Sequence, residues 1–181
     1  RDNEPTNTRR RDVNNVRRYI ALEYGMTNRP GKAVDIYKND LVPMARELYA
    51  DSPTDSRNHK DLARSLLELG LVLIRDGRFQ EAIEPLMEAN VGWDSVVGDG
   101  SEATKSSRVA RYELIRTKLG LTVCYLNTGN LQLAKKANDQ TLQLLDQAIA
   151  IWPDDPSFKV VTPEAKRMRA SILKELGGFG S

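Results

Sequence analysis

Apolar residues recur at helical spacing along nearly the whole chain, and turn residues stand at the breaks. A first stripe runs through Val13, Val16, Tyr19, Ile20 and Tyr24. Asn28-Arg29-Pro30-Gly31 predicts a turn. A second helix is predicted from about Gly31 to Ala50, through Ala33, Ile36, Tyr37, Leu41, Met44 and Leu48. Pro43 should kink it, because proline removes a backbone donor. Asp51-Ser52-Pro53-Thr54 closes this hairpin. A second pair is predicted over about 58–76 and 78–91, turning at Asp76-Gly77 with Phe79 packed just after. Pro85 predicts a bend or a late start in its second helix. Residues 92–103, with Gly92, Gly98 and Gly100, read as a loop. A third pair is predicted over about 104–127 and 130–152, around Thr128-Gly129-Asn130. Trp152-Pro153-Asp154-Asp155-Pro156 stops it. A last helix is predicted over 163–177, with Thr162 as its cap, Pro163 in its first turn and Gly177-Gly178 at its close. Residues 1–11 are polar, Arg-rich and without apolar period, and read as an arm or capping extension. No alternating strand-like run is present, so the expected class is all-α with seven helices.

The pairs share a spacing of small residues. In the clearest copy, Leu66, Leu69, Gly70 and Leu73 are followed by Ala82, Leu86 and Ala89, with twelve positions between Gly70 and Ala82. The same interval separates Ala21 from Ala33 and Thr122 from Ala134. Two antiparallel helices approach closely only where both carry small side chains, and the leucines then fill the space between hairpins. This pattern resembles the tetratricopeptide (TPR) repeat. Long-helix arrays of this kind resemble those of kinesin light chains and of bacterial multidomain regulators, including arrays appended to bacterial protein kinases. The stretch from Asp61 to Gly70, continued through Ala82, carries most of it. Arg17 and Lys118 replace the usual large apolar residue in the other copies, and Asn138 replaces the helix-B aromatic. The period is 49 and then 52 residues, against the family's ~34, so the excess lies in longer helices and loops. The resemblance implies a right-handed superhelix of about three helical hairpins plus a C-terminal capping helix. Its expected extent is 12–177, with repeats at about 12–50, 58–91 and 104–152, the cap at 163–177 and a flexible tail at 178–181.

Composition adds bounds rather than identity. The chain has 181 residues, 40% hydrophobic and 29% charged, with a net charge of +2, which suits one soluble domain without a whole-chain nucleic-acid footprint. The single Cys124 excludes an internal disulfide framework and fits a reducing compartment. No apolar run reaches the roughly 20 residues needed to span a bilayer. The expected location is intracellular and soluble, in cytoplasm or in an organelle matrix or stroma after removal of an import sequence.

Catalytic signals are thin, and no enzymatic activity, cofactor or metal is expected. His59 is the only histidine and sits near a helix start, where a solvated or capping role is expected. Cys124 lacks a second group to activate it, beside Tyr125 in a packed stretch. A zinc site needs several Cys or His ligands, and the chain has two such residues. Gly98-Asp99-Gly100-Ser101-Glu102-Ala103 matches a dinucleotide fingerprint in letters only, because no strand precedes it. Glu81, Glu84 and Glu88 read as a solvated helix face.

The resemblance places a partner-binding groove on the first helices of the hairpins. Carried onto this chain, the groove positions are Asn15, Arg18, Leu22 and Met26, then Arg64, Leu67, Leu71 and Ile74, then Arg116, Leu119, Val123 and Asn127. That is an apolar strip flanked by arginines, suited to a protein or peptide segment with acidic residues. Grip on the C-terminal tails of heat-shock chaperones (Hsp70 and Hsp90) is not expected, because Leu22, Glu68 and Gly120 occupy clamp positions that need asparagine or a basic residue. The function implied is a non-enzymatic interaction scaffold or assembly module. The alternatives are a regulatory region of a larger enzyme, such as a bacterial kinase, or an accessory subunit of an organellar complex. A nucleic-acid role for Arg9-Arg10-Arg11 and Arg17-Arg18 is diluted by Asp2, Glu4 and Asp12 and lacks an aromatic platform.

Overall fold

A computed structural model describes residues 4–98 and 105–178. Among the described residues there are only helices and turns. Helix α1 is Glu4–Met26. Helix α2 covers 30–51 and joins Pro30–Ile36, a π-helical turn Tyr37–Leu41 and Val42–Asp51 without a break. Then follow α3 (Ser56–Arg75), α4 (Phe79–Val97), α5 (Lys105–Asn127), α6 (Leu131–Ile151) and α7 (Pro156–Gly178). Each helix packs on the next along the chain, and α3 also touches α5 as α5 touches α7.

Among the described residues the expected all-α class with seven helices is observed, and the boundaries shift for physical reasons. The Arg-rich start was expected as an arm, yet it is helical from Glu4. Its order does not come from an apolar stripe: Arg10 pairs with Asp51 at 3.3 Å and Arg11 with Asp55 at 3.0 Å. The expected loop at 92–103 begins later, because α4 continues to Val97 with Trp93 buried against the core; the rest of that loop, at 99–104, lies outside the described residues. The last helix starts at Pro156, not at 163. Asp155 caps it by accepting from the Ser157 N–H at 2.9 Å, while Thr162, the expected cap, donates instead to the Phe158 carbonyl at 2.8 Å. Pro163 therefore lies inside the helix, on its exposed face, where the carbonyl it leaves free is open to water. The expected tail at 178–181 falls mostly outside the described residues.

Proline 43 is accommodated by the π turn ahead of it. The Val42 N–H bonds back to the Tyr37 carbonyl, one residue farther than in an α-helix. That extra residue widens the turn and resets the ladder at a proline that has no donor.

The small-residue positions are the tight ones. Ala21, Ala33, Ala82, Thr122 and Ala134 are all fully buried. A methyl added at Gly70 would stand 2.4 Å from Leu86 Cγ, so only glycine lets α3 and α4 approach this closely. Thr122 keeps its hydroxyl satisfied by donating to the Lys118 carbonyl at 2.9 Å. Three turns repeat the same geometry. Asn28, Gly77 and Gly129 have φ of 57°, 75° and 77°, and the next N–H reaches back across each helix end, Arg29 to Tyr24 O, Arg78 to Leu73 O and Asn130 to Tyr125 O. This is the helix stop that wants a left-handed residue.

Two core clusters result. The larger runs from α1 to α6 through Tyr37, Leu41, Leu67, Leu73, Leu86 and Trp93. The smaller joins α5, α6 and α7 through Ile115, Leu145, Phe158 and Ala165, with Trp152 stacked on Phe158 at 5.9 Å.

Candidate interaction surface

The first helices of the hairpins, α1, α3 and α5, bring the sequence-predicted groove residues into corresponding positions, but not all of them reach solvent. On α1, Asn15, Leu22 and Met26 are exposed. On α3, Arg64, Leu71 and Ile74 are half-buried, and Leu67 is fully buried. On α5, Arg116 and Val123 are half-buried, Asn127 is exposed and Leu119 is buried. Leu67 and Leu119 thus belong to the core, which needs large residues between the hairpins. They are not part of an open face.

Arg18 is also turned inward. Its Nε donates to Glu68 Oε2 at 2.8 Å, and its guanidinium reaches Ser65 Oγ at 3.2 Å. The Tyr37 hydroxyl donates to the same carboxylate oxygen at 3.1 Å. One carboxylate on α3 therefore ties α1 and α2 to it. Burial raises the Glu68 carboxyl above its usual range, and Arg18 pulls it back down. The Tyr37 hydroxyl is pushed well up, first by burial and then by the adjacent carboxylate. Arg116 is partly spoken for as well, pairing with Glu113 at 2.8 Å and lying over the Tyr112 ring.

Two cations on the first-helix face remain open. Arg64 and Arg75 form no ion pair among the described residues, and they flank Leu71 on one stripe of α3. The Arg75 guanidinium sits near Gly25 of α1, with Nη1 3.3 Å from where a Cβ would be. Arg75 was not among the sequence-predicted positions. The stripe spacing from Arg64 through Leu71 reaches it one turn later, so the signal was present.

The residues that departed from the repeat pattern reach across their own hairpins. Arg17 pairs with Asp40 at 3.2 Å and Lys118 Nζ meets Gln140 Oε1 at 3.1 Å. A polar bridge stands there in place of an apolar contact. Burial also lowers the Lys118 ammonium. Asn138 is buried and donates to the Ala165 carbonyl at 3.1 Å.

The second helices carry a different feature. A cavity of about 290 Å³ lies between α2 and α4, floored by Val42, Leu66, Leu69, Leu73 and Pro85. Ion pairs cross its rim, Lys38 to Glu81 at 2.9 Å and Arg46 to Glu88 at 2.5 Å. Glu81 and Glu88 are thus bridges between helices, not the merely solvated carboxylates expected from sequence. Hydrogen bonds from Arg78 and Lys38 hold the Glu81 carboxyl down, at about 2.

Chemistry at the remaining candidates is limited. His59 is half-buried, its ring tilted on Tyr49 at 5.4 Å and its Nε2 3.4 Å from Ser95 Oγ. Burial pushes the Cys124 thiol up to about 12, so it is a protonated core residue near neutral pH. No cluster of three or more metal-ligating side chains occurs among the described residues. Among them, too, no helix is long and apolar enough to cross a membrane. Comparison with known proteins gives no matching family model, no matching curated protein and no matching solved structure.

Proposed function

We propose that this chain is a TPR-like helical-repeat scaffold that holds an acidic, partly apolar segment of a partner protein along the shared face of α1, α3 and α5. The observation that carries the reading is the pair Arg64 and Arg75, with no ion pair among the described residues, on either side of Leu71, on a face that also presents Leu22 and Met26. Surface arginines elsewhere are mostly paired, as Arg10, Arg17, Arg46 and Arg78 are. Guanidinium forks that make no ion pair and stand beside apolar side chains suit carboxylates on an amphipathic or extended segment. The repeat reading is supported by left-handed turn residues that recur with the period of the small-residue pairs, and by α3 touching α5 as α5 touches α7. In repeat stacks of this kind the first helices line the inner side of a curved array, which forms an extended concave surface.

The test is capture of the partner by the intact chain from its native source, repeated with Arg64→Glu and Arg75→Glu. A specific acidic partner that both variants lose supports the reading. A partner held equally well by both variants contradicts it.

A further inference from the structure

Helix α1 exposes a second apolar face, distinct from the proposed groove. Val13, Val16, Tyr19 and Ile20 are 41%, 59%, 74% and 46% exposed. The repeat offset shows how unusual this is within the molecule. The corresponding residues Leu62, Ser65 and Leu69 on α3, and Leu114, Thr117 and Leu121 on α5, are all buried. The position of Tyr19 corresponds to Glu68, which meets Tyr37 of α2, and to Gly120, whose Cβ would lie 3.2 Å from Leu86 of α4. On α3 and α5 this face is covered by the second helix of the hairpin before. On α1 nothing among the described residues covers it.

The charges on this face are complementary to themselves. Arg9 and Glu23 each lie seven positions from Val16, close to two helical turns and about 10 Å along the axis. At about 100° per residue both point within some 20° of Val16. Neither side chain has a partner among the described residues, and both are exposed. Val13 and Ile20 fall together on one side of that line, Asp12 and Tyr19 on the other.

We propose that α1 forms an antiparallel pair with α1 of a second copy of this chain, about a two-fold axis at Val16. Val16 then meets its own copy at the centre. Val13 packs on Ile20 of the other copy, and the Asp12 carboxylate accepts from the Tyr19 hydroxyl of the other copy. Arg9 pairs with Glu23 at both ends. An isologous contact requires this self-complementarity, and a single helix pair is a small interface, so the dimer is in reversible equilibrium with monomer. The pairing leaves Leu22, about 120° round the helix from Val16, on another face, with Met26 beyond the end of the pair on the Tyr19 side, and does not depend on the groove reading.

The experiment is sedimentation velocity of the full chain over a concentration series. A dimer that grows with concentration is expected. Val16→Glu places two carboxylates at the axis and should weaken it by about tenfold or more. Arg9→Glu and Glu23→Arg should each weaken it similarly, and the double swap Arg9→Glu with Glu23→Arg should restore it. These residues are exposed, so circular dichroism and melting should be unchanged. A monomer at every concentration overturns the proposal. A dimer indifferent to Val16→Glu and to the charge swap overturns it equally.

Discussion

Arg18 Nε lies 2.8 Å from Glu68 Oε2, with both side chains mostly buried, at 13% and 16% exposed. Removing one member leaves the other charged, desolvated and short of a partner. Arg18→Ala is therefore expected to cost about 2–4 kcal/mol in chemical denaturation. Pairing Arg18→Met with Glu68→Gln should recover much of that loss, since no charge is then stranded. Equal losses in the single and double variants would mean that a stranded charge is not the source of the loss.

The close contact of α3 with α4 gives a second expectation. Gly70→Ala drives a methyl against Leu86 Cγ, and about 1–3 kcal/mol should be lost through forced repacking. Ala82→Leu should cost a comparable amount, because Ala82 is fully buried. Combining Gly70→Ala with Leu86→Ala should cost less than the two singles summed, because the new methyl occupies part of the space vacated. An additive double variant would place the contact elsewhere.

Acid stability follows from the two helix caps. Asp55 is held below 3.8 first by the Arg57 backbone N–H and then by Arg57 and Arg11, and Asp155 first by Arg108 and then by Ser157. A carboxylate with a lowered folded value contributes stability that is complete above its unfolded value and lost as pH falls through the folded one. The loss is thus expected below about pH 3.8. Glu68, raised by burial, runs the other way, favouring the fold more when protonated. Asp55→Asn and Asp155→Asn preserve a capping oxygen and should flatten the acid limb of a stability–pH curve. An unaltered slope in the double variant would refute the assignment.

Cys124 gives a chemical readout. Its thiol is buried and raised to about 12, and the thiolate is the reactive form. A disulfide reagent at pH 8 should modify the native chain slowly and the unfolded chain fast. Rapid native labelling would show that the core around α5 opens.

The sequence made the helices and tight contacts legible where one rule dominated. Ala21, Ala33, Gly70, Ala82, Thr122 and Ala134 marked buried positions, and Gly77 and Gly129 marked turns, because only small or permissive residues serve there. It misled where long side chains did the work. The first turns of α1 carry no apolar period and are tied by Arg10 and Arg11 to aspartates forty and more residues away. The Pro-x-Asp pairs, Pro53 with Asp55 and Pro153 with Asp155, recur two repeats apart and cap α3 and α7. Reading that recurrence would have started the last helix at Pro156. On the candidate surface, periodicity identified the face but not depth. Leu67 and Leu71 lie one turn apart, yet only Leu71 keeps any exposure. Arg18 and Arg64 look alike in sequence, yet only Arg18 hydrogen-bonds Glu68, while Arg64 acts on that carboxylate through charge alone.

The central claim, that the α1, α3 and α5 face holds an acidic segment, is tested most directly by residue-resolved titration. The isotope-labelled chain is titrated with the captured partner segment and followed by nuclear magnetic resonance. Resonances of Leu22, Arg64, Leu71, Arg75 and Val123 should shift and saturate together, and the affinity should fall as salt is raised. Arg64→Glu with Arg75→Glu should abolish the shifts, while Glu81→Lys with Glu84→Lys should not. Shifts centred instead on Lys38, Glu84 and Glu88, unaffected by the arginine changes, would place binding at the α2–α4 cavity and contradict the account.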